Sequence, residues 1–268
     1  MTSTPIARRL AGRTIIVTGA SRGIGAATAR RLSAEGARLV LGSAPDDAAR
    51  LATVAAECEA AVAVPADLAD PAVPARLVAT AMERFGGVSG IVNNAFAEAV
   101  GDVEAVPLEG WDRTLRVTLT APMLMAKAAL PYLKASGHGA IVNVASQRAF
   151  ASGHAAAAYE SAKGGLVVLT RSLAVDFGPA GVRANTLSPG LIHSERVEDW
   201  FRGGVRREEA MRAAIALRRP GLPQEVAAVV AFLLSDDAAY VNGTVLSVDG
   251  GALAGLPENA ALALVGEA

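Results

Sequence analysis

With 268 residues, 52% of them hydrophobic, the chain can bury one large core, and α/β proteins of this length commonly form a single unit. The formal net charge of -1 argues against a polyanion or an anionic membrane as the main partner, so neither nucleic acid nor a membrane is expected. Cys58 is the only cysteine, which excludes an intrachain disulfide and a cysteine-based zinc site, and His138, His154 and His193 have no metal-ligand spacing.

Residues 1–10 carry arginines but no apolar stretch of the kind that marks a signal peptide, and runs such as Ala227 to Leu234 stop well short of a membrane span. A cytoplasmic protein is the expectation.

From the N-terminus onward, short β-rich runs alternate with Ala-rich helical stretches. The runs Thr14 to Thr18, Arg38 to Leu41, Ala61 to Val64, Val88 to Val92, Ala140 to Val144, Arg183 to Leu187 and Val245 to Val248 read as buried strands. Seven such strands separated by helices predict α/β architecture: a Rossmann-like, doubly wound parallel sheet with helices on both faces and ligands at the carboxyl ends of the strands. A single domain over 1–268 is expected, since no linker, repeat or low-complexity tract interrupts the alternation.

After the first strand comes Thr18-Gly19-Ala20-Ser21-Arg22-Gly23-Ile24-Gly25, opening the first helix. Glycines let the backbone turn tightly beside a pyrophosphate, and a helix N-terminus offers unpaired N–H groups to that anion. A dinucleotide site is the reading that this placement supports. Further on, a long helix is predicted from about Val106 to Lys134, with Pro122 and Pro131 as points where it kinks or ends. The segment 191–222 is rich in charge and glycine and too long for an ordinary loop, which makes it a candidate substrate lid, although a surface helical hairpin would read similarly. An Ala-rich tail, 252–268, ends the sequence.

Tyr159 and Lys163 lie four residues apart, with Ser146 thirteen residues upstream at the end of an apolar run. On a helix, positions i and i+4 share a face, so the ammonium would stand beside the phenol and favour its ionised form. A free phenol titrates near ~10, and bringing it to ~7 needs about 4 kcal/mol. One unit charge ~5 Å away at an effective dielectric of ~20 supplies about 3 kcal/mol. Such a pair also arises by chance on amphipathic helices, and it gains meaning from the company it keeps.

Taken together, the glycine loop, Asn93-Asn94-Ala95 after the fourth strand, Ser146 after the fifth, Tyr159 with Lys163, Ser188-Pro189-Gly190 after the sixth, Arg218-Arg219-Pro220-Gly221 and Val248-Asp249-Gly250-Gly251 resemble the classical short-chain dehydrogenase/reductase family from Gly12 to Gly251. The resemblance implies an NAD(P)-dependent oxidoreductase interconverting a ketone and a secondary alcohol, such as a 3-oxoacyl or other ketone reductase. It implies that Tyr159 is the general acid or base, that Lys163 lowers its pKa and holds the nicotinamide ribose, and that Ser146 hydrogen-bonds the substrate oxygen. The cofactor would be bound by Gly19, Ser21, Arg22, Gly23, Ile24 and Gly25, by Asn94 and Ala95, by Asp67 and Leu68 at the adenine, and by Pro189, Gly190 and Ile192 at the nicotinamide. Asp67 equally suits a cap for the following turn, and Asn94 equally suits loop backbone. A homotetramer is also implied.

Two positions depart from the family pattern. Phe96 replaces the usual glycine after Asn-Asn-Ala, and Thr118 replaces an asparagine thought to hold a water of the proton relay. These departures are the only support for the alternative, a non-catalytic nucleotide-binding regulatory protein on the same fold. NADP(H) is expected in preference to NAD(H), which remains possible. The second strand ends in Leu41-Gly42-Ser43-Ala44, without the acid that would bond a ribose 2′-hydroxyl, while Arg22 and Ser43 suit a 2′-phosphate. Arg22 as a plain surface charge, or Asp46 or Asp47 turned inward, would count against this.

Overall fold

A computed structural model of the chain describes residues 8–256 apart from 195–196, 199–201 and 203–204, and describes 205–207 by backbone alone. The sheet contains seven parallel strands: β1 (Thr14–Thr18), β2 (Arg38–Ser43), β3 (Ala61–Pro65), β4 (Gly90–Asn93), β5 (Ala140–Val144), β6 (Arg183–Pro189) and β7 (Val245–Val248). The seven parallel strands are those the alternating pattern predicts, and they lie in the order β3-β2-β1-β4-β5-β6-β7. The order reverses between β1 and β4, where Val17 pairs in register with Val92. In such sheets the crevice at this reversal, beyond the strand carboxyl ends, receives the ligand.

Side chains alternate along the central strands, so each strand feeds two cores. Ile15, Val17, Leu39 and Leu41 pack against α1 (Gly23–Ala34) and α2 (Ala48–Ala56), and this core extends to the last long helix, Pro223–Leu234. Ile16, Val40, Ile91 and Ile141 point the other way, toward α3 (Val73–Phe85), α5 (Ala121–Ala135) and α6 (Ala157–Phe177). At about 1.5–3 kcal/mol for each fully buried Leu, Ile or Val, these two layers supply the main driving force for folding.

The predicted long helix is one helical path with a defect. It runs through α4 (Leu108–Leu115), a π-helical turn at Arg116–Thr120, and then α5. Pro122 comes just after the π turn, where the irregular ladder accommodates its missing N–H, and Pro131 sits inside α5 without ending it. The irregular turn includes Thr118, four residues before Pro122, where a proline disturbs the helical ladder, so the defect falls at the first of the two expected points and none falls at Pro131.

The expected lid is described in part. Its base is closed by a bridge between Ile192 and Gly221, and it contains α7 (Val205–Ala213). Ile215 is buried, and Leu217 N–H donates to the Gly250 carbonyl at 3.0 Å, so the returning limb is tied to the residues after β7. Trp200, Phe201, Gly203 and Gly204 lie outside the described residues, as does the tail beyond residue 256. Pro223–Leu234 is α8. No helix among the described residues is long and apolar enough to cross a membrane.

Candidate active site

The glycine loop is shaped by close backbone approach. Gly19 adopts φ +65, and a Cβ there would lie 2.8 Å from Asn94 Nδ2 and 2.9 Å from Ala95 Cα; at Gly25 it would fall 2.0 Å from the Gly19 carbonyl oxygen. Only glycine permits that packing. At the start of α1, Arg22 occupies the N-cap without a side-chain cap, which leaves the first-turn N–H groups to other acceptors. This uncapped helix end beside the β1/β4 crevice fits a dinucleotide pyrophosphate.

Asn94 braces the loop. Its Nδ2 donates to the carbonyls of Thr18 and Gly19, both at 3.0 Å. The sequence alone did not single out Thr18 as the hub of this corner. Its hydroxyl accepts from the backbone N–H groups of Asn94 (3.0 Å) and Ala95 (3.1 Å) and donates to the Val92 carbonyl at 3.3 Å. A threonine ending a strand is a weak signal, because its partners come from a strand 76 residues away in sequence.

At the β2 end, Ser43 Oγ donates to Ser21 Oγ at 2.9 Å, and Ser21 Oγ donates to Asp47 Oδ2 at 3.1 Å. Arg22 lies 3.5 Å from the same carboxylate oxygen. The residues expected to meet a 2′-phosphate are therefore already engaged, with Asp47 as the acceptor at the centre. Asp67 likewise shows the capping geometry that was its alternative reading. It accepts from Ala69 N–H at 2.9 Å and pairs with Arg113 at 3.1 Å, and its carboxyl is held below the usual carboxylate range chiefly by the Ala69 bond. Leu68 packs on the core beside it. Ile192 also packs on core residues, and Gly190 sits so close to Asp249 that a Cβ would meet its Cα at 2.7 Å.

Tyr159 and Lys163 share one face of α6, as the spacing predicts. Lys163 is 2% exposed, its Nζ lies 5.6 Å from the Tyr159 ring centroid, and it donates to the Val144 carbonyl at 2.5 Å. Burial alone pushes its pKa down to about 7. Ser146 caps a short 3-10 turn at Gln147–Ala149, its Oγ accepting from Arg148 N–H at 3.2 Å. That bond uses a lone pair and leaves the hydroxyl proton for a ligand oxygen. At the β5 level, Asn93 Nδ2 donates to Asn143 Oδ1 at 2.8 Å, and Asn143 Nδ2 donates to Thr170 Oγ1 at 2.9 Å, fastening α6 to the sheet beneath the pair. Buried asparagine and threonine at these points are invisible as partners until β4, β5 and α6 are brought together.

Thr118, at the position of the family's relay asparagine, engages the backbone of the loop after β4. Thr118 is fully buried in the π turn, and its hydroxyl accepts from Ala97 N–H at 3.1 Å and donates to the Ala97 carbonyl at 3.2 Å. One helical turn earlier, Thr114 accepts from Ala99 N–H at 3.0 Å. Both threonines clamp the loop that follows β4, the Thr118 hydroxyl giving its proton and one lone pair to the Ala97 backbone.

A seven-stranded parallel sheet that reverses between β1 and β4, an uncapped glycine-lined helix end after β1, Ser146 after β5 and Tyr159 with Lys163 on one face of α6 are together the arrangement of a nicotinamide-dinucleotide-dependent oxidoreductase. A family model described as enoyl-(acyl carrier protein) reductase matches residues 19–252. The chain is 37% identical over 246 residues to a meso-2,3-butanediol dehydrogenase of Serratia marcescens, covering 92% of this chain and 96% of that protein. It is 35% identical over 257 residues to the human dehydrogenase/reductase SDR family member 4, covering 94% and 92% respectively. Among solved structures, a blue fluorescent protein from a metagenomic library in complex with NADPH superposes with a TM-score of 0.84 at 34% identity, covering 91% of this chain and 99% of that one. The chain belongs to the short-chain dehydrogenase/reductase family and is an oxidoreductase of the class acting on CH–OH groups.

Proposed function

We propose that the protein interconverts a ketone and a secondary alcohol with NADP(H) as the preferred dinucleotide, Ser146, Tyr159 and Lys163 carrying the proton chemistry. The observation that carries this reading is the Tyr159–Lys163 pair on one helix face, with a serine hydroxyl proton available at the end of the neighbouring strand. In reduction, Ser146 donates a hydrogen bond to the substrate carbonyl oxygen, and Tyr159 delivers a proton to the same oxygen as it gains charge. In oxidation, the phenolate takes that proton back. Lys163, anchored on the Val144 carbonyl, favours the phenolate whenever it carries its charge.

The dinucleotide supplies or accepts the hydride when bound. Its pyrophosphate would lie on the loop of Gly19, Ser21, Gly23, Ile24 and Gly25, with Asn94 and Ala95 alongside, Asp67 and Leu68 toward the adenine, and Pro189, Gly190 and Ile192 toward the nicotinamide. The preference for NADP(H) rests on the missing acid at the end of β2 and on Arg22 and Ser43, and the solved relative in complex with NADPH supports it by analogy. Asp47 opposes it and narrows the margin. A homotetramer in the cytoplasm, with residues 191–222 closing over substrate, completes the proposal.

The test is NADPH absorbance with a panel of ketones and 3-oxoacyl thioesters, comparing the native protein with Tyr159→Phe. Loss of turnover by about 100-fold or more with an unchanged melting temperature is expected. Near-native turnover in that variant removes Tyr159 from the chemistry, and NADPH oxidation by neither protein across the panel favours the regulatory alternative.

A further inference from the structure

Phe96 stands in the position where the family usually has glycine, and its ring meets both members of the proton-transfer pair. Its centroid is 5.6 Å from that of Tyr159 at an interplanar angle of 69°, the edge-to-face arrangement that aromatic quadrupoles favour. Lys163 Nζ is 5.7 Å from the Phe96 centroid, so the ammonium is flanked by two aromatic rings. Phe96 is nevertheless 50% exposed. A large apolar ring left half in solvent at the end of a loop gains little from burial, which points to the two ring contacts as the reason for its placement.

We propose that Phe96 is a positioning residue of the active site, its ring restraining the Tyr159 ring and its π system favouring the Lys163 ammonium over the neutral amine. The inference rests on the assignment of Tyr159 and Lys163 to proton transfer. An ammonium taken out of water loses hydration, and an aromatic quadrupole returns part of that loss without introducing a counter-charge that would compete with the phenolate. The groups against Lys163 are few. The Val144 carbonyl comes from β5, Tyr159 from its own helix and Phe96 from the loop after β4. Charged side chains on the elements around α6 include Glu98 beyond Phe96, Arg148 on the 3-10 turn, Glu160 on α6, Arg113 and Arg116 along α4 and the π turn, and Arg183 on β6. None of them contributes to the lysine shift, which burial alone causes. The Val144 carbonyl and the two aromatic rings are thus the local groups that favour the charge, and Phe96 is the one of them contributed by the loop after β4.

The test needs no substrate. Phenolate formation in the cofactor-free protein is followed by ultraviolet difference absorbance as pH rises, and the matching Tyr159→Phe background is subtracted to isolate one of the three tyrosines. Phe96→Leu keeps an apolar side chain and removes the quadrupole; Phe96→Trp restores it. Because Lys163 loses its proton at about pH 7, the phenol and the amine titrate as one coupled pair. With the ammonium disfavoured, Phe96→Leu is expected to lose phenolate formed in the neutral range and to shift the pair's first phenolate step up by about half a pH unit, and Phe96→Trp to keep the native profile. Melting curves verify that both variants fold, as a half-exposed site allows. An unmoved midpoint in Phe96→Leu, or the same displacement in both variants, overturns the proposal. Failure of the proton-transfer reading itself would show separately, as retained turnover in Tyr159→Phe.

Discussion

Replacing Asp47 by asparagine isolates the cofactor preference. In the structure one carboxylate oxygen of Asp47 accepts from Ser21 at 3.1 Å and lies 3.5 Å from Arg22, whose side chain is 65% exposed while that of Asp47 is 20% exposed. A 2′-phosphate that recruits Arg22 must first take it from Asp47. An ion pair this open is worth about 0.2–1 kcal/mol after screening. Removing the carboxylate charge also removes a repulsion toward the phosphate, roughly 1 kcal/mol for charges ~7 Å apart in a largely aqueous surrounding. The two contributions have the same sign. They predict that Asp47→Asn tightens NADPH binding by about 1–2 kcal/mol, roughly five- to thirty-fold, while asparagine keeps an oxygen for the Ser21 hydrogen bond. NADH, which carries no phosphate at that position, should gain nothing. Titration of both dinucleotides by fluorescence, at low and at high salt, reads the difference directly, and the gain should shrink as salt rises. Equal effects on NADPH and NADH, or no effect on either, would mean that Asp47 does not face the ribose and that the residues near β2 do not set the preference.

Lys163 makes stability depend on pH in a defined direction. Its folded pKa of about 7 lies below the ordinary lysine value of 10.5, so between those values the unfolded chain binds more protons and stability contributed at this site rises with pH. The burial penalty is fully present below about pH 7 and is relieved toward pH 10.5. Urea denaturation of the native protein and Lys163→Met should therefore show the native stability gaining on the variant across that window, and parallel pH profiles would contradict a buried, depressed lysine. Thr118→Val should cost about 1–3 kcal/mol of stability, because the Ala97 N–H and carbonyl lose their partner inside the protein. Thr118→Ser should recover most of that loss in the same denaturation assay, and a neutral Thr118→Val would show that the clamp carries no weight.

The sheet was legible because its signal is local. Each strand appears in the sequence as a short apolar run, and side-chain alternation sends Ile15 and Val17 to one core and Ile16 to the other, as a period of two requires. The glycine loop was legible for a related reason: Gly19 and Gly25 are demanded by backbone geometry within seven residues of one another. Tyr159 and Lys163 share a helix face by spacing alone. What the sequence concealed are contacts whose partners come from distant elements. The sequence leaves an inward Asp46 or Asp47 as an open reading, but nothing in it selects Asp47 or names Ser21 as its partner, and nothing near Thr118 announces Ala97, because both bonds exist only after distant elements are aligned. Asp67 divides between the two cases: its local turn, with Ala69, is a reading the sequence offers, whereas its remote partner Arg113 is not.

The two departures from the family pattern meet in one corner of the structure. Thr118 and Phe96 both belong to the corner where the loop after β4 meets the π turn and α6. A threonine there has a hydroxyl short enough to fasten on the Ala97 backbone, which holds the loop against the helix. A loop held in that way can present a side chain at residue 96 toward the catalytic helix, and a phenylalanine at that point reaches both Tyr159 and Lys163. Glycine in the same place would leave that side of the pair to water. Thr118 and Phe96 therefore act as one substitution in structural terms, the first fixing the loop and the second using its position. Neither removes a proton donor, since the Ser146 hydroxyl, the Tyr159 phenol and the Lys163 ammonium all remain in place.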